Sequence, residues 1–137
     1  MEPRKILVVD DSTLIHKLFP MIFPRAAHVH AMDGREALVR LVEHPDVELV
    51  FLDINMPAMN GLEVLRAMKA DAFLARIPVI VVSTEGKEAD TVRGLRAGAA
   101  AYVRKPFRGE AVVDIAHRVL AARQGAPPSE ATRPDSG

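Results

Sequence analysis

The sequence predicts a doubly wound α/β domain, a parallel sheet covered by helices on both faces. Three observations carry that prediction. Short apolar runs of strand length alternate with helical stretches five times along the chain. The strongest runs, Ile6-Leu7-Val8-Val9, Leu49-Val50-Phe51-Leu52 and Pro78-Val79-Ile80-Val81-Val82, are continuous, as strands buried on both faces must be. Polar groups follow most of these runs, where each strand would leave the core.

The composition fits one such domain. A chain of 137 residues buries roughly two-thirds of the surface its unfolded form exposes, enough for a real core. Apolar residues make up 49% and charged residues 26%, an ordinary globular mix. Aromatics are only 4%, which predicts an aliphatic core. The net charge is zero, which removes the electrostatic reason to expect nucleic acid or an acidic membrane surface as a partner. No cysteine is present, which excludes disulfides, thiolate metal sites and a Cys nucleophile. With neither a signal peptide nor a membrane-spanning apolar run, a cytoplasmic protein is expected.

Taken in order, Ile6 to Val9 is the first strand and ends at Asp10-Asp11. Asp11 or Ser12 can cap the helix from Thr13 to about Phe23, whose Leu14, Ile15, Leu18, Phe19 and Ile22 follow helical spacing. Pro20 removes a backbone hydrogen bond and crowds the His16 carbonyl, which predicts a kink or an early end. Ala27 to Met32 is a weak second strand. Gly34 to His44 is a helix with Ala37, Leu38, Leu41 and Val42 inward, ended by His44-Pro45. Glu48 to Asp53 is the third strand, broken at Met56-Pro57, with a turn at Asn60-Gly61. Leu62 to Ala70 is a helix with Leu62, Leu65 and Met68 on one face. Pro78 to Val82 is the fourth strand and ends in Ser83-Thr84. Glu88 to Ala97 is a helix stopped by Gly98. Ala101 to Arg104 is a small strand before Lys105-Pro106, and Glu110 to about Arg123 is the last helix. Residues 1–123 form the domain. Residues 124–137, with three prolines and no large apolar side chain, form a tail or linker that cannot offset its own ordering entropy.

In an open parallel sheet, ligands bind outside the carboxyl ends of the strands, at the topological switch point. That rule gathers Asp10 and Asp11 after strand one, Asp53 after strand three, Ser83 and Thr84 after strand four, and Lys105 after strand five. In the flavodoxin-like order 2-1-3-4-5, strands one and three are neighbours, so the three carboxylates should meet. Three carboxylates repel unless a cation compensates. A hard ion such as Mg²⁺ takes one or two carboxylates, keeps several waters and often accepts a phosphate oxygen. Lys105 adds an ammonium and Ser83 a hydroxyl. This is equipment for phosphoryl transfer, in which positioning and charge neutralisation do most of the chemistry and an aspartate can serve as nucleophile.

At Asp10-Asp11, Leu52-Asp53-Ile54-Asn55-Met56-Pro57, Asn60-Gly61, Ser83 and Tyr102-Val103-Arg104-Lys105-Pro106-Phe107, the sequence resembles the receiver domain of two-component response regulators. The resemblance covers about residues 4–122. The strand order is part of what it implies, since a chemotaxis member of that family is a type example of the order. It implies a signalling module rather than an enzyme, with Asp53 accepting a phosphoryl group from a phosphohistidine on a sensor kinase or phosphotransfer protein. Asp11 and Asp53 would bind Mg²⁺ directly, Asp10 through water, and the Asn55 carbonyl would be a further ligand. The backbone at Asn55 and Thr84 would hold the phosphoryl oxygens, and Lys105 would pair with them. Ser83 would be the switch hydroxyl, and Tyr102 the coupled aromatic that turns inward. The Lys105-Pro106 bond would be cis. The shifted face would then bind a downstream protein. Asn55 and Glu85 lie where an attacking water would approach.

Other readings exist for these residues. The chain could be the amino-terminal receiver of a larger regulator, or a receiver that binds partners without phosphate. An aspartyl-phosphate hydrolase would carry a second acid two residues after its nucleophile, where this chain has Asn55. His16, His44 and His117 read as solvated helix residues. His28 and His30 share a strand face without a third ligand.

Overall fold

The computed structural model describes residues 2–56, 59–84 and 87–125. Pro57, Glu85 and the segment beyond residue 125 lie outside the described residues. Five parallel strands, β1 (Lys5–Val9), β2 (Ala27–Ala31), β3 (Leu49–Asp53), β4 (Val79–Thr84) and β5 (Ala101–Lys105), form one sheet in the order β2-β1-β3-β4-β5. The helices are α1 (Thr13–Ile22), α2 (Gly34–Glu43), α3 (Gly61–Ala70), α4 (Glu88–Arg96) and α5 (Gly109–Gly125), with a short 3₁₀ turn at Leu74–Arg76 before β4. The doubly wound sheet is what the alternation predicts, and its flavodoxin-like order is what the resemblance implies.

The continuous apolar strands are explained by two cores, one on each face. Alternation along each strand sends Leu7, Val9, Val50, Leu52, Val79 and Val81 to one side, where Ala37, Leu41, Val64, Leu65 and Met68 of α2 and α3 cover them. Ile6, Val8, Leu49, Phe51, Ile80, Val82 and Val103 point to the other side, against Ile15, Phe19 and Phe23 of the α1 segment and Val112, Ala116 and Val119 of α5. All five residues of β3 are buried, so its final carboxylate has nowhere to go but the sheet edge.

Several expectations need correction. The second core is not purely aliphatic: Phe19, Phe23 and Phe51 are among its largest fully buried side chains, with ring centroids 4.7 Å apart for Phe19–Phe51. A few aromatics suffice when they cluster. Leu14 and Val42 have the right spacing but are 62% and 76% exposed, because each helix buries only a narrow stripe. α1 is not ended by Pro20. It runs two residues further, and the Phe23 amide closes onto the Phe19 carbonyl at 2.9 Å. Pro20 is exposed and near the end, so the helix forfeits one hydrogen bond and retains the packing of Phe19.

Asn60-Gly61 is not a free-standing turn. Asn60 caps α3 in a reciprocal capping box with Glu63, and Gly61 is the first helical residue. A β-carbon at Gly61 would lie 2.5 Å from the Asp53 carbonyl oxygen and 2.6 Å from the Ile54 Cα. Only glycine lets α3 begin this close to the end of β3.

The histidines are also less solvated than expected. His16 Nε2 lies 2.7 Å from the Asp10 carbonyl oxygen, and its Nδ1 lies 2.7 Å from His30 Nδ1. His44 Nδ1 is 3.2 Å from Lys5 Nζ. His117 is half-buried, with Nε2 3.6 Å from a Glu2 carboxylate oxygen.

Candidate functional site

Four of the five strands, β1, β3, β4 and β5, end at or immediately before a polar residue on the same edge. β1 ends immediately before Asp10, which is 1% exposed. Its backbone N–H donates to the Ala31 carbonyl at 3.1 Å, and its Oδ1 accepts the Ser12 N–H at 2.9 Å. Ser12, not Asp11, is the cap of α1, which leaves Asp11 free to face solvent. Asp53 closes β3 at 3% exposure, and its Oδ1 accepts the Asn55 N–H at 2.8 Å. Lys105 ends β5 and reaches back across the sheet. Its Nζ lies 2.9 Å from Asp10 Oδ2 and 3.3 Å from Asp53 Oδ2. The Lys105-Pro106 bond is cis, as expected.

The carboxylates of Asp10, Asp11 and Asp53 each offer an oxygen, all within 4.8 Å of one another. Burial pushes the Asp53 carboxyl above the usual carboxylate range. The bond from the Asn55 amide opposes that shift, the Asp10 charge adds to it, and Lys105 opposes it. For Lys105, burial works to lower the pKa, but the hydrogen bond to Asp10 and the charges of Asp53 and Asp10 outweigh it. The net shift is upward. The cluster thus holds more negative charge than one ammonium cancels. Three hard carboxylate oxygens, one of them on the solvent side, suit an ion of the Mg²⁺ type, which retains water.

The remaining expected residues divide. Asn55 is half-buried and acts through its side chain as well. Its Oδ1 accepts the Thr84 N–H at 3.0 Å, and its Nδ2 donates to Asp90 Oδ2 at 2.9 Å. Ser83 is 1% exposed, but its hydroxyl is engaged with α4, accepting from Thr91 Oγ1 at 2.8 Å. Tyr102 stands apart at 42% exposure. Register pairs it with Val81, so strand alternation puts it on the same sheet face as Ser83.

Three participants were missed in the sequence: Asp90 and Thr91 on α4, and His16 on α1. Asp90 and Thr91 gave a faint signal. On a short helix whose apolar residues are Val92 and Leu95, a small polar pair reads as the outer face. Here the helix is turned the other way, with Thr91 and Gly94 buried and Val92 and Leu95 exposed.

Beside the cluster, an open groove of about 480 Å³ lies between α1 and the end of β5. It is lined by Leu14, Ile15 and Leu18 on one side and Lys105, Pro106 and Phe107 on the other. Among the described residues, no helix is long and apolar enough to cross a membrane.

Comparison with known proteins places this geometry. A family model for the response regulator receiver domain matches residues 6–117. The chain is similar to a chemotaxis protein CheY homolog of Campylobacter jejuni, 35% identical over 124 residues, covering 88% of this chain and 95% of the relative. Chemotaxis protein CheY1 of Helicobacter pylori is 33% identical over 119 residues, covering 85% and 96%. Among solved structures, chemotaxis protein CheY4 of Vibrio cholerae superposes with a TM-score of 0.78 at 29% identity, covering 86% of this chain and 99% of that one.

Proposed function

The chain belongs to the response regulator receiver family, and on that premise we propose that Asp53 is its phosphoacceptor. The observation that carries the reading is the convergence of Asp53 with Asp10, Asp11 and Lys105 at the carboxyl ends of β1, β3 and β5. A buried carboxylate needs a cation to remain a nucleophile, and this cluster supplies one and has donors for a second.

In the proposed reaction, a carboxylate oxygen of Asp53 attacks the phosphorus of a phosphohistidine. The O–P bond forms as the N–P bond breaks, and the imidazole leaves and recovers a proton from solvent. Mg²⁺, held by Asp11 and Asp53, by Asp10 through water and by the Asn55 carbonyl, would neutralise charge on the transferring phosphoryl group. Lys105 turns from its carboxylate partners to the phosphoryl oxygens. The Asn55 and Thr84 amides and the Ser83 hydroxyl complete the cradle. Water later attacks phosphorus, the bond from Asp53 oxygen to phosphorus breaks, and inorganic phosphate leaves with the proton of the water, which returns Asp53 to its carboxylate, with Asn55 bordering the approach.

The phosphoryl group adds nearly two negative charges at one sheet edge. The response is a shift between two packings of α4, β5 and α5, with Tyr102 following Ser83. The donor is a sensor histidine kinase or phosphotransfer protein, and the reader is a downstream protein. The groove beside α1, lined by exposed Leu14 and by Lys105, supports docking of the donor there. A cytoplasmic setting belongs to the same proposal.

The test is incubation with Mg²⁺ and acetyl phosphate, read by intact mass. Wild type should gain one acid-stable, base-labile phosphoryl group, and Asp53→Asn none. Equal uptake by the two proteins would remove Asp53 from the role.

A further inference from the structure

α4 is an unusual helix. Its buried residues are only Thr91 and Gly94, and Gly94 rests on Val81, where a β-carbon would be 3.3 Å from a Val81 methyl. Its larger apolar side chains face out, Val92 at 46% and Leu95 at 39% exposure. Little apolar area therefore holds it to the sheet, and the few polar contacts it makes count for more.

Two of those contacts end on groups that the proposed phosphoryl cradle requires. Thr91 Oγ1 donates to the Ser83 hydroxyl at 2.8 Å, in a site where both side chains are buried. Its distance to the Lys87 carbonyl is 3.5 Å, so the bond to Ser83 is the favoured one. Asp90 Oδ2 accepts from Asn55 Nδ2 at 2.9 Å, and the same Asn55 amide caps the Thr84 N–H through Oδ1 at 3.0 Å. Asp90 is itself steadied by Arg93 at 2.8 Å. Adjacent residues of one helix thus hold both the switch hydroxyl and, through Asn55, the Thr84 amide.

We propose that Asp90 and Thr91 form a latch that ties α4 to the unphosphorylated site and competes with the phosphoryl group for Ser83 and Thr84. They are positioning residues and act through Ser83 and Asn55. When Ser83 turns to a phosphoryl oxygen, Thr91 keeps only the long 3.5 Å contact to the Lys87 carbonyl, in a buried place. When the Thr84 amide does so, Asn55 loses one of its two anchors and its bond to Asp90 is weakened, leaving Asp90 to Arg93. Both losses loosen the same helix, so occupation of the site and release of α4 become one event. A weakly packed helix makes such coupling effective, because two hydrogen bonds are a large share of what fixes it.

The inference rests on the phosphoacceptor reading, and one set of titrations separates the two. The full chain, loaded with Mg²⁺, is titrated with beryllofluoride, a mimic of a carboxylate-bound phosphoryl group, and followed by amide NMR. Thr91→Val keeps the shape and removes the hydroxyl. It should bind beryllofluoride roughly threefold to tenfold more tightly than wild type, the worth of about one net hydrogen bond. Asp90→Ala should show a comparable gain. Thr91→Ser and Asp90→Asn each retain a partner for Ser83 or Asn55 and should return towards wild type. Faster hydrogen exchange of α4 amides in unliganded Thr91→Val is the matching structural readout. Unchanged or weaker binding in both Thr91→Val and Asp90→Ala would overturn the latch alone. An equal gain in Thr91→Ser would also overturn it, since that variant keeps the bond. Failure of wild type to bind beryllofluoride would overturn the phosphoacceptor reading and the latch with it. Should Thr91→Val not fold, Asp90→Ala, on the helix surface side of the contact, decides the matter.

Discussion

Lys105→Met removes the only cation in contact with Asp10 and Asp53 among the described residues and keeps a side chain of similar length. Each ion pair, at 2.9 and 3.3 Å, is worth about 5 kcal/mol before costs at an effective dielectric near 20. Desolvation of the amine and the carboxylates returns several kcal/mol per ion. The Lys105 side chain is 24% exposed and the carboxylates almost fully buried, so solvent weakens the pairs only in part. A net loss of roughly 3 kcal/mol is expected, at the lower edge of what breaking a buried pair costs. The assay is urea unfolding at pH 7 in EDTA, with Asp10→Asn and the double variant completing a cycle. The Lys105→Met cost should shrink in the Asp10→Asn background, and it should shrink on acidification as Asp53, whose carboxyl burial holds above the usual range, takes up its proton. Millimolar Mg²⁺ should restore more stability to Lys105→Met than to wild type, since the ion then supplies the missing positive charge. A loss under about 0.5 kcal/mol, typical of an exposed pair, would refute the claim that Lys105 balances the cluster.

Asp53→Asn should stabilise the metal-free protein at pH 7. Burial raises the Asp53 pKa, so the native state holds a proton more readily than the unfolded chain. Stability then falls as pH rises from the unfolded value near 4 through the raised native value, and above that the wild type carries a penalty that Asn lacks. Urea melts in EDTA from pH 3.5 to 8 should show the two proteins converging at the acid end; a gap that widens on acidification would refute the sign. Gly61→Ala should cost about 2–4 kcal/mol, since the added methyl would sit 2.5 Å from the Asp53 carbonyl oxygen. That outweighs the ~1 kcal/mol that alanine gains as a helix former. The same melts check it, and a neutral or stabilising result would show that α3 can retreat from the end of β3.

Much of the fold was legible because buried parallel strands have a distinctive composition. Leu49 to Leu52 and Val79 to Val82 are apolar on both faces, and a carboxylate or hydroxyl directly after such a run must emerge at the sheet edge. Asp10, Asp53, Ser83 and Lys105 were therefore readable as residues of one sheet edge, and the strand order implied by the resemblance made neighbours of Asp10 and Asp53. Helix faces were less legible. Leu14 and Val42 carry the periodicity of a core stripe yet are exposed, because the width of that stripe depends on what packs above it. The tie of His16 to the Asp10 carbonyl depends on side-chain direction, which spacing does not encode, whereas Asn60 and Glu63 have the spacing of a capping box and were legible as one.

By itself the sequence determined the strands and which polar residues leave at their carboxyl ends, since strand burial and alternation are local properties of the chain; the order that makes neighbours of Asp10, Asp53 and Lys105 came from the family resemblance and is seen in the sheet. Only the tertiary structure decided how Ser83, Tyr102 and α4 are arranged. Whether Ser83 faces the acidic cluster or α4, whether Tyr102 is in or out, and which side of α4 rests on the sheet all turn on contacts between distant residues. The hydroxyl–hydroxyl bond between Ser83 and Thr91 spans the end of one element and the second turn of the next. Its free energy is small, so no local preference foretells it, and it forms because Gly94 lets α4 settle close against Val81.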